Sequence, residues 1–87
     1  MRFARSQRFD KRFRKLPALV KRQVEERLRL FASDPLHPLL NDHALHGEHQ
    51  SRRSINVTGD IRIVYEMFDK DIAKLIDIGT HSELYNS

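Results

Sequence analysis

Apolar and polar residues alternate through the last third of the chain. Ile55 and Val57 begin the pattern, and Ile61, Ile63, Tyr65 and Met67 continue it. A period of two places such side chains on one face of a strand. Thr58 and Gly59 part the two runs as a tight-turn candidate, with Gly59 free to take positive φ. Residues 68–71, Phe-Asp-Lys-Asp, read as a second polar turn, and a third run over residues 72–78 ends at Gly79-Thr80-His81. The pattern predicts three antiparallel strands in a meander.

Upstream the period changes to that of a helix. Phe9, Phe13 and Leu16 recur at i, i+4 and i+7 and predict a helix over residues 7–16, with Ser6 as its N-cap. Pro17 cannot continue that helix but suits the first turn of another. Val20, Val24, Leu28 and Phe31 form the stripe of a second helix over residues 17–32. Residues 1–5, with Phe3 inward, read as an opening strand that joins the sheet. Residues 36–50 have no clean period and hold His37, His43, His46 and His49. So long an irregular stretch in a small domain is more often functional than idle. The expected fold is α+β, one domain over residues 1–87: two N-terminal helices packed on a small twisted antiparallel sheet of three or four strands.

Composition narrows the class. The 87 residues include no cysteine, so neither disulfides nor thiolate metal sites are expected. No apolar run reaches transmembrane length and no signal-peptide block is present, which makes a cytoplasmic protein without membrane contact the default. The charge is uneven. Residues 1–29 carry eleven Lys/Arg against three acids, a net +8, and the remainder carries five against nine, a net −4. A basic end of this kind suits a polyanion such as RNA, or an acidic protein partner. A solvated helix face with counterions is the plainer explanation.

Candidate chemistry lies in the polar residues around the strands. His43, His46 and His49 are spaced by three, but Gly47 among them argues against the single helical face a metal would need, so no metal or other cofactor is expected. His81 directly follows the last strand, where a rigid backbone can aim it into a cleft or where it simply caps the sheet end. Arg62 alternates with Ile61 and Ile63 and should point away from the face they pack on. Arg52, Arg53 and Arg62 carry the planar donor fork that suits phosphate, although arginine also serves as a plain strand-edge solubiliser. Asp60 sits beside the turn. RNA cleavage without a metal needs a base for the 2′-OH, an acid for the departing 5′-oxygen and a cation at the phosphoryl oxygens. The chain offers each type. The phenylalanines of the first helix fall on one stripe and read as core rather than as a base-stacking platform.

The run DHALHG, then RRSINVTGDIRIVYEM, then DIGTHSELY resembles the RelE/ParE toxin superfamily of bacterial type II toxin–antitoxin systems, nearest its YafQ-like branch. The resemblance implies a toxin that cuts mRNA in the ribosomal A site and needs no metal. It also implies a cognate antitoxin as partner, the 70S ribosome and mRNA as targets, and operator DNA bound only through the antitoxin complex. Carried over by position, it implies His43, Asp60, His81 and Tyr85 as active-site residues, with Arg62 at the scissile phosphate. Arg52, Arg53, Lys11, Arg14 and Lys15 are the expected RNA contacts. Two positions depart from the YafQ-like pattern: Asn56 stands where that branch has a histidine, and Asp77 lies where it has an arginine. A ParE-like gyrase inhibitor, or a catalytically weak homologue that keeps antitoxin binding, are the alternatives.

Overall fold

The alternating run forms the predicted meander and continues further than the turn residues suggest. The computed structural model describes residues 1–45 and 51–85. In chain order the elements are β1 (Arg2–Arg5), α1 (Gln7–Arg14), α2 (Ala18–Ser33), a 3₁₀ turn (Pro38–Leu40), β2 (His43–Ala44), β3 (Arg53–Asn56), β4 (Ile61–Asp69), β5 (Ile72–Thr80) and α3 (His81–Tyr85). The first two helices stand where the apolar stripes place them. Ser6 caps α1, its Oγ accepting from the Phe9 N–H at 3.0 Å. Strand β4 runs on to Asp69, so Phe68 and Asp69 belong to the strand and not to the turn. The β3–β4 turn is held by the Thr58 hydroxyl, which accepts from the Asp60 and Ile61 N–H groups. Gly59 does not use a left-handed φ there.

The sheet has five strands in the order β1-β5-β4-β3-β2, where three or four were expected. It is also mixed. β1 pairs with β5 in parallel, while the other neighbours are antiparallel. Parallel strands need a long connection between them, and here the two helices and the rest of the meander supply it. No residue of β1 reveals a partner seventy positions away.

One face of the sheet carries Ile55, Val57, Ile63, Tyr65, Ala73, Leu75 and Ile78, all buried against Phe9 of α1 and Val24 and Phe31 of α2. Each large apolar side chain buried this way contributes on the order of 1.5–3 kcal/mol. Among the described residues no helix is long and apolar enough to cross a membrane.

A polar knot ties the irregular segment to this sheet. The buried Tyr65 hydroxyl donates to Asp42 Oδ2, and Arg53 Nε donates to Asp42 Oδ1 at 2.7 Å. Burial first, and then the hydrogen bond to Asp42, push the Tyr65 phenol well above its ordinary value of 10.0. A phenol with a raised folded-state pKa adds stability that is complete below the unfolded value, and the gain is lost as pH rises through the folded one. Tyr65→Phe is expected to cost about 1–3 kcal/mol in urea unfolding near neutral pH. In an alkaline absorbance titration, Tyr65 should ionise only as the fold is lost.

Candidate active site

The sheet face opposite the core is organised by one extra residue. Val64 pairs with Asp77 but Tyr65 pairs with Leu75, so Ile76 is inserted as a β-bulge. A bulge breaks the strict alternation of a strand and re-aims its side chains. Here Ile76 and Asp77, adjacent in sequence, line the same cavity. The Ile76 carbonyl accepts from Ser6 Oγ at 2.6 Å, so the residue that caps α1 also fastens it beside the bulge. Arg8 and Arg12 of α1 thereby reach Asp77: Arg8 Nε lies 3.0 Å from Oδ2 and Arg12 Nη1 lies 3.3 Å from Oδ1.

The last strand turns directly into α3 through a capping box. The Glu83 N–H donates to Thr80 Oγ1 at 3.1 Å, and the Thr80 N–H donates to Glu83 Oε1 at 2.8 Å. Such reciprocal bonds satisfy two otherwise orphaned donors and fix the first turn. Buried Gly79 leaves room for the motif, because a Cβ there would lie 3.0 Å from Glu83 Oε1 and 3.3 Å from Arg12 Nη1. Within α3, His81 and Tyr85 are one turn apart, their rings edge-on with centroids at 4.7 Å. Thr80→Ala is expected to cost about 1 kcal/mol and to abolish amide-exchange protection in α3. The two bonds from Thr80, the backbone one first, hold the Glu83 carboxyl below its usual range. A depressed carboxyl stabilises above its unfolded value and loses that effect as pH falls through the folded one. Acidification should therefore loosen α3.

Across the sheet, His43, Ser54, Val64 and Asp77 form one continuous row of paired residues. His43 Nδ1 lies 2.8 Å from the Asn41 carbonyl. A carbonyl only accepts, so Nδ1 carries the proton and, in the neutral ring, Nε2 is the free acceptor. His43, Val64 and Asp77 of this row line a cavity of about 530 Å³, together with Arg52, His81 and Tyr85, and Arg8 enters from α1. Among the described residues the lining holds two arginines and two histidines against the single carboxylate of Asp77, a set of donors suited to an anion. The Tyr85 hydroxyl is enclosed and has no partner among the described residues.

The family model described as the bacterial toxin of type II toxin–antitoxin system, YafQ, matches residues 1–86. The chain belongs to the YafQ toxin family. It is thus a type II toxin of the RelE/ParE superfamily, and its α+β fold agrees with solved relatives. YafQ from E. coli strain BL21(DE3) is similar with a TM-score of 0.77 at 19% identity, over 98% of this chain and 99% of that one. The conserved hypothetical protein HP0894 from Helicobacter pylori is similar with a TM-score of 0.72 at 29% identity, again over 98% and 99%. A chain of the E. coli DinJ–YafQ toxin–antitoxin complex matches with a TM-score of 0.74 at 20% identity, over 95% and 94%. A search of curated proteins by sequence gives no significant match.

The toxin's sequence-predicted residues divide into groups. His43, His81, Tyr85 and Arg52 converge on the cavity. Arg62 shares the cavity's sheet face but lies one row further along, paired with Asn56 and Gly79. Its Nε donates to Asn56 Oδ1 at 3.2 Å, so the asparagine at the histidine position orients an arginine. Asp60 is exposed on the β3–β4 turn and does not line the cavity. Arg53 lies on the core-side row with Tyr65 and is paired with Asp42, away from the histidines. Lys11, Arg14 and Lys15 are exposed on α1 but do not line the cavity. His46, Gly47 and His49 lie outside the described residues.

Sequence reasoning passed over Arg8 as a cavity residue, and it named His81 and Tyr85 without predicting that they share a helix, α3. Helix α3 had a signal in Thr80-His81-Ser82-Glu83, the spacing of a capping box. Arg8 had none, since nothing distinguishes it from the other cations of α1. The basic end is also less free than its charge implies. Arg5 pairs with Asp10, and Arg27 donates to the Leu39 and Val57 carbonyls.

Proposed function

We propose that this toxin is a ribosome-dependent endoribonuclease that cuts mRNA in the ribosomal A site and so stops translation. The observation that carries the reading is the convergence of His43 and His81 on one cavity that also presents arginine. One histidine, acting as base, removes the 2′-OH proton, and the 2′-oxygen attacks phosphorus. The P–O5′ bond breaks as the other histidine gives its proton to the leaving oxygen. The products are a 2′,3′-cyclic phosphate, open to hydrolysis to a 3′-phosphate, and a 5′-hydroxyl. Tyr85, enclosed beside His81, positions a base. Arg52 lines the same cavity, Arg62 extends the cationic face beyond it, and Asp60 would assist proton transfer from the turn. Lys11, Arg14 and Lys15 meet rRNA phosphates, so association weakens with salt. Arg53 is engaged by Asp42 and contributes by holding the loop before β2.

A cognate antitoxin binds the toxin, as DinJ does YafQ in the solved E. coli complex. Operator DNA is reached only through that complex, and the toxin acts in the cytoplasm. The test is induced expression without antitoxin, followed by mapping of mRNA 5′ ends beside a His81→Ala control. New ends in register with codons, absent from the control, support the nuclease. Growth arrest with intact mRNA and damaged DNA would instead indicate a gyrase-type target. A folded toxin with neither effect would be the inactive homologue.

A further inference from the structure

Among the described residues Asp77 is the only carboxylate lining the cavity. Its side chain is 14% exposed, and Oδ1 accepts from the Ile78 N–H at 2.8 Å. Two guanidinium groups meet this one charge, which leaves a surplus cation at the cavity edge. The arginines are not equivalent. Arg12 is 28% exposed, and its Nη1, 3.3 Å from Asp77 Oδ1, is buried and makes no aligned hydrogen bond. It packs over Gly79 and serves to hold α1 down. Arg8 is 61% exposed and lines the cavity, ion-paired with Asp77 at 3.0 Å. The ion pair keeps the group at the cavity edge, and its two Nη amino groups make no hydrogen bond among the described residues. Arg52 makes the looser ion pair, its Nε 3.9 Å from Glu66 Oε2.

Resting on the nuclease reading, we infer that Arg8 is the cation that holds the phosphate, delivered to the sheet by α1 and kept beside the cavity by its ion pair with Asp77. A guanidinium held beside the cavity with both Nη groups unengaged among the described residues offers them as a fork, the geometry that matches a phosphoryl group's oxygens. A mere staple between helix and sheet would need one arginine and no opening on the cavity. The ligand is the phosphodiester of RNA, or the 3′-phosphate left by cleavage.

The test titrates the intact toxin with adenosine 3′-monophosphate and follows binding by ³¹P and amide NMR. Arg8→Ala should weaken binding at least tenfold. Arg8→Lys keeps a charge for Asp77 but lacks the fork, and should weaken it at least threefold. Arg22→Ala, an equal loss of charge on α2, should leave the affinity within twofold. Wild-type affinity in folded Arg8→Ala would overturn the assignment. If that variant does not fold, wild-type affinity in Arg8→Lys would do so, and so would failure of the wild-type toxin to bind at millimolar nucleotide. Ribosomal cleavage is scored separately. Binding through Arg8 without mRNA cuts would sustain the site and remove the nuclease reading. Cuts made equally well by Arg8→Ala would do the reverse.

Discussion

Replacing His81 with alanine is expected to slow mRNA cleavage on ribosomes by about 10²–10⁴-fold, the usual worth of a positioned proton carrier. The loss should fall on kcat and leave KM little changed, because a proton carrier acts in the transition state more than in binding. Stability should hardly move. His81 is exposed, and its neighbour Thr80 and the residue Glu83 keep the capping box without it. The substitution removes the edge-on contact with Tyr85. Imidazole added to the variant should restore part of the rate, since it returns a proton carrier without returning the side chain. The wild-type pH–rate profile should also show a limb that the variant lacks. Undiminished cleavage by folded His81→Ala would remove His81 from the chemistry and leave His43 as the cavity's one histidine among the described residues. Tyr85→Ala makes the useful contrast. It removes the enclosed ring while retaining both histidines, so its loss should appear in KM.

How far this site could be read from the chain depends on which forces set each part. The apolar alternation of Ile55, Val57, Ile61, Ile63 and Tyr65 reports one buried face, and that face is present. The stripe Phe9, Phe13, Leu16 and the cap Ser6 likewise locate α1, because helix period and capping are local. The bulge at Ile76 was less visible, though the doublet Leu75-Ile76 interrupts the alternation where it occurs. Its effect, turning Asp77 into the cavity beside Ile76, requires knowing the partner strand. The parallel pairing of β1 with β5 is set by tertiary packing over a separation that no local pattern encodes. Charge was the weakest guide. The eleven cations of residues 1–29 look alike in sequence, yet Arg12 turns a buried Nη1 toward Asp77, Arg27 holds two carbonyls and Arg8 opens on the cavity. His43 and His81 were placed in the active site by resemblance, and the sheet register and α3 bring them to one cavity. Asp60, chosen on the same grounds, remains on an exposed turn.

Phe31→Ala is expected to cost about 3–5 kcal/mol, the range for truncating a buried phenylalanine. Phe31 is 2% exposed and stands where three parts of the fold meet. From α2 its ring reaches Tyr65 of β4, with centroids at 4.9 Å and planes at 60°. It also stacks on Phe3 of β1 at 6.1 Å. Such aromatic pairs add about 0.5–1.5 kcal/mol beyond the area they bury. The substitution therefore removes the contact by which α2 holds both the central strand and the parallel edge strand. A domain of this size has a total stability on the order of 4–13 kcal/mol, so the loss consumes a large share of it. The thermal midpoint should fall by roughly 15–30 °C, with a matching shift of the urea midpoint at nearly constant slope. Phe68→Ala tests the reasoning from the other side. Phe68 is 78% exposed at the second register shift of β4, so its truncation should change stability by no more than about 0.5 kcal/mol. If both variants lost stability alike, composition rather than burial would govern these positions. If Phe31→Ala melted within a few degrees of the parent, α2 would not be packed on β4 as described, and the sheet that carries the cavity would lack its principal support.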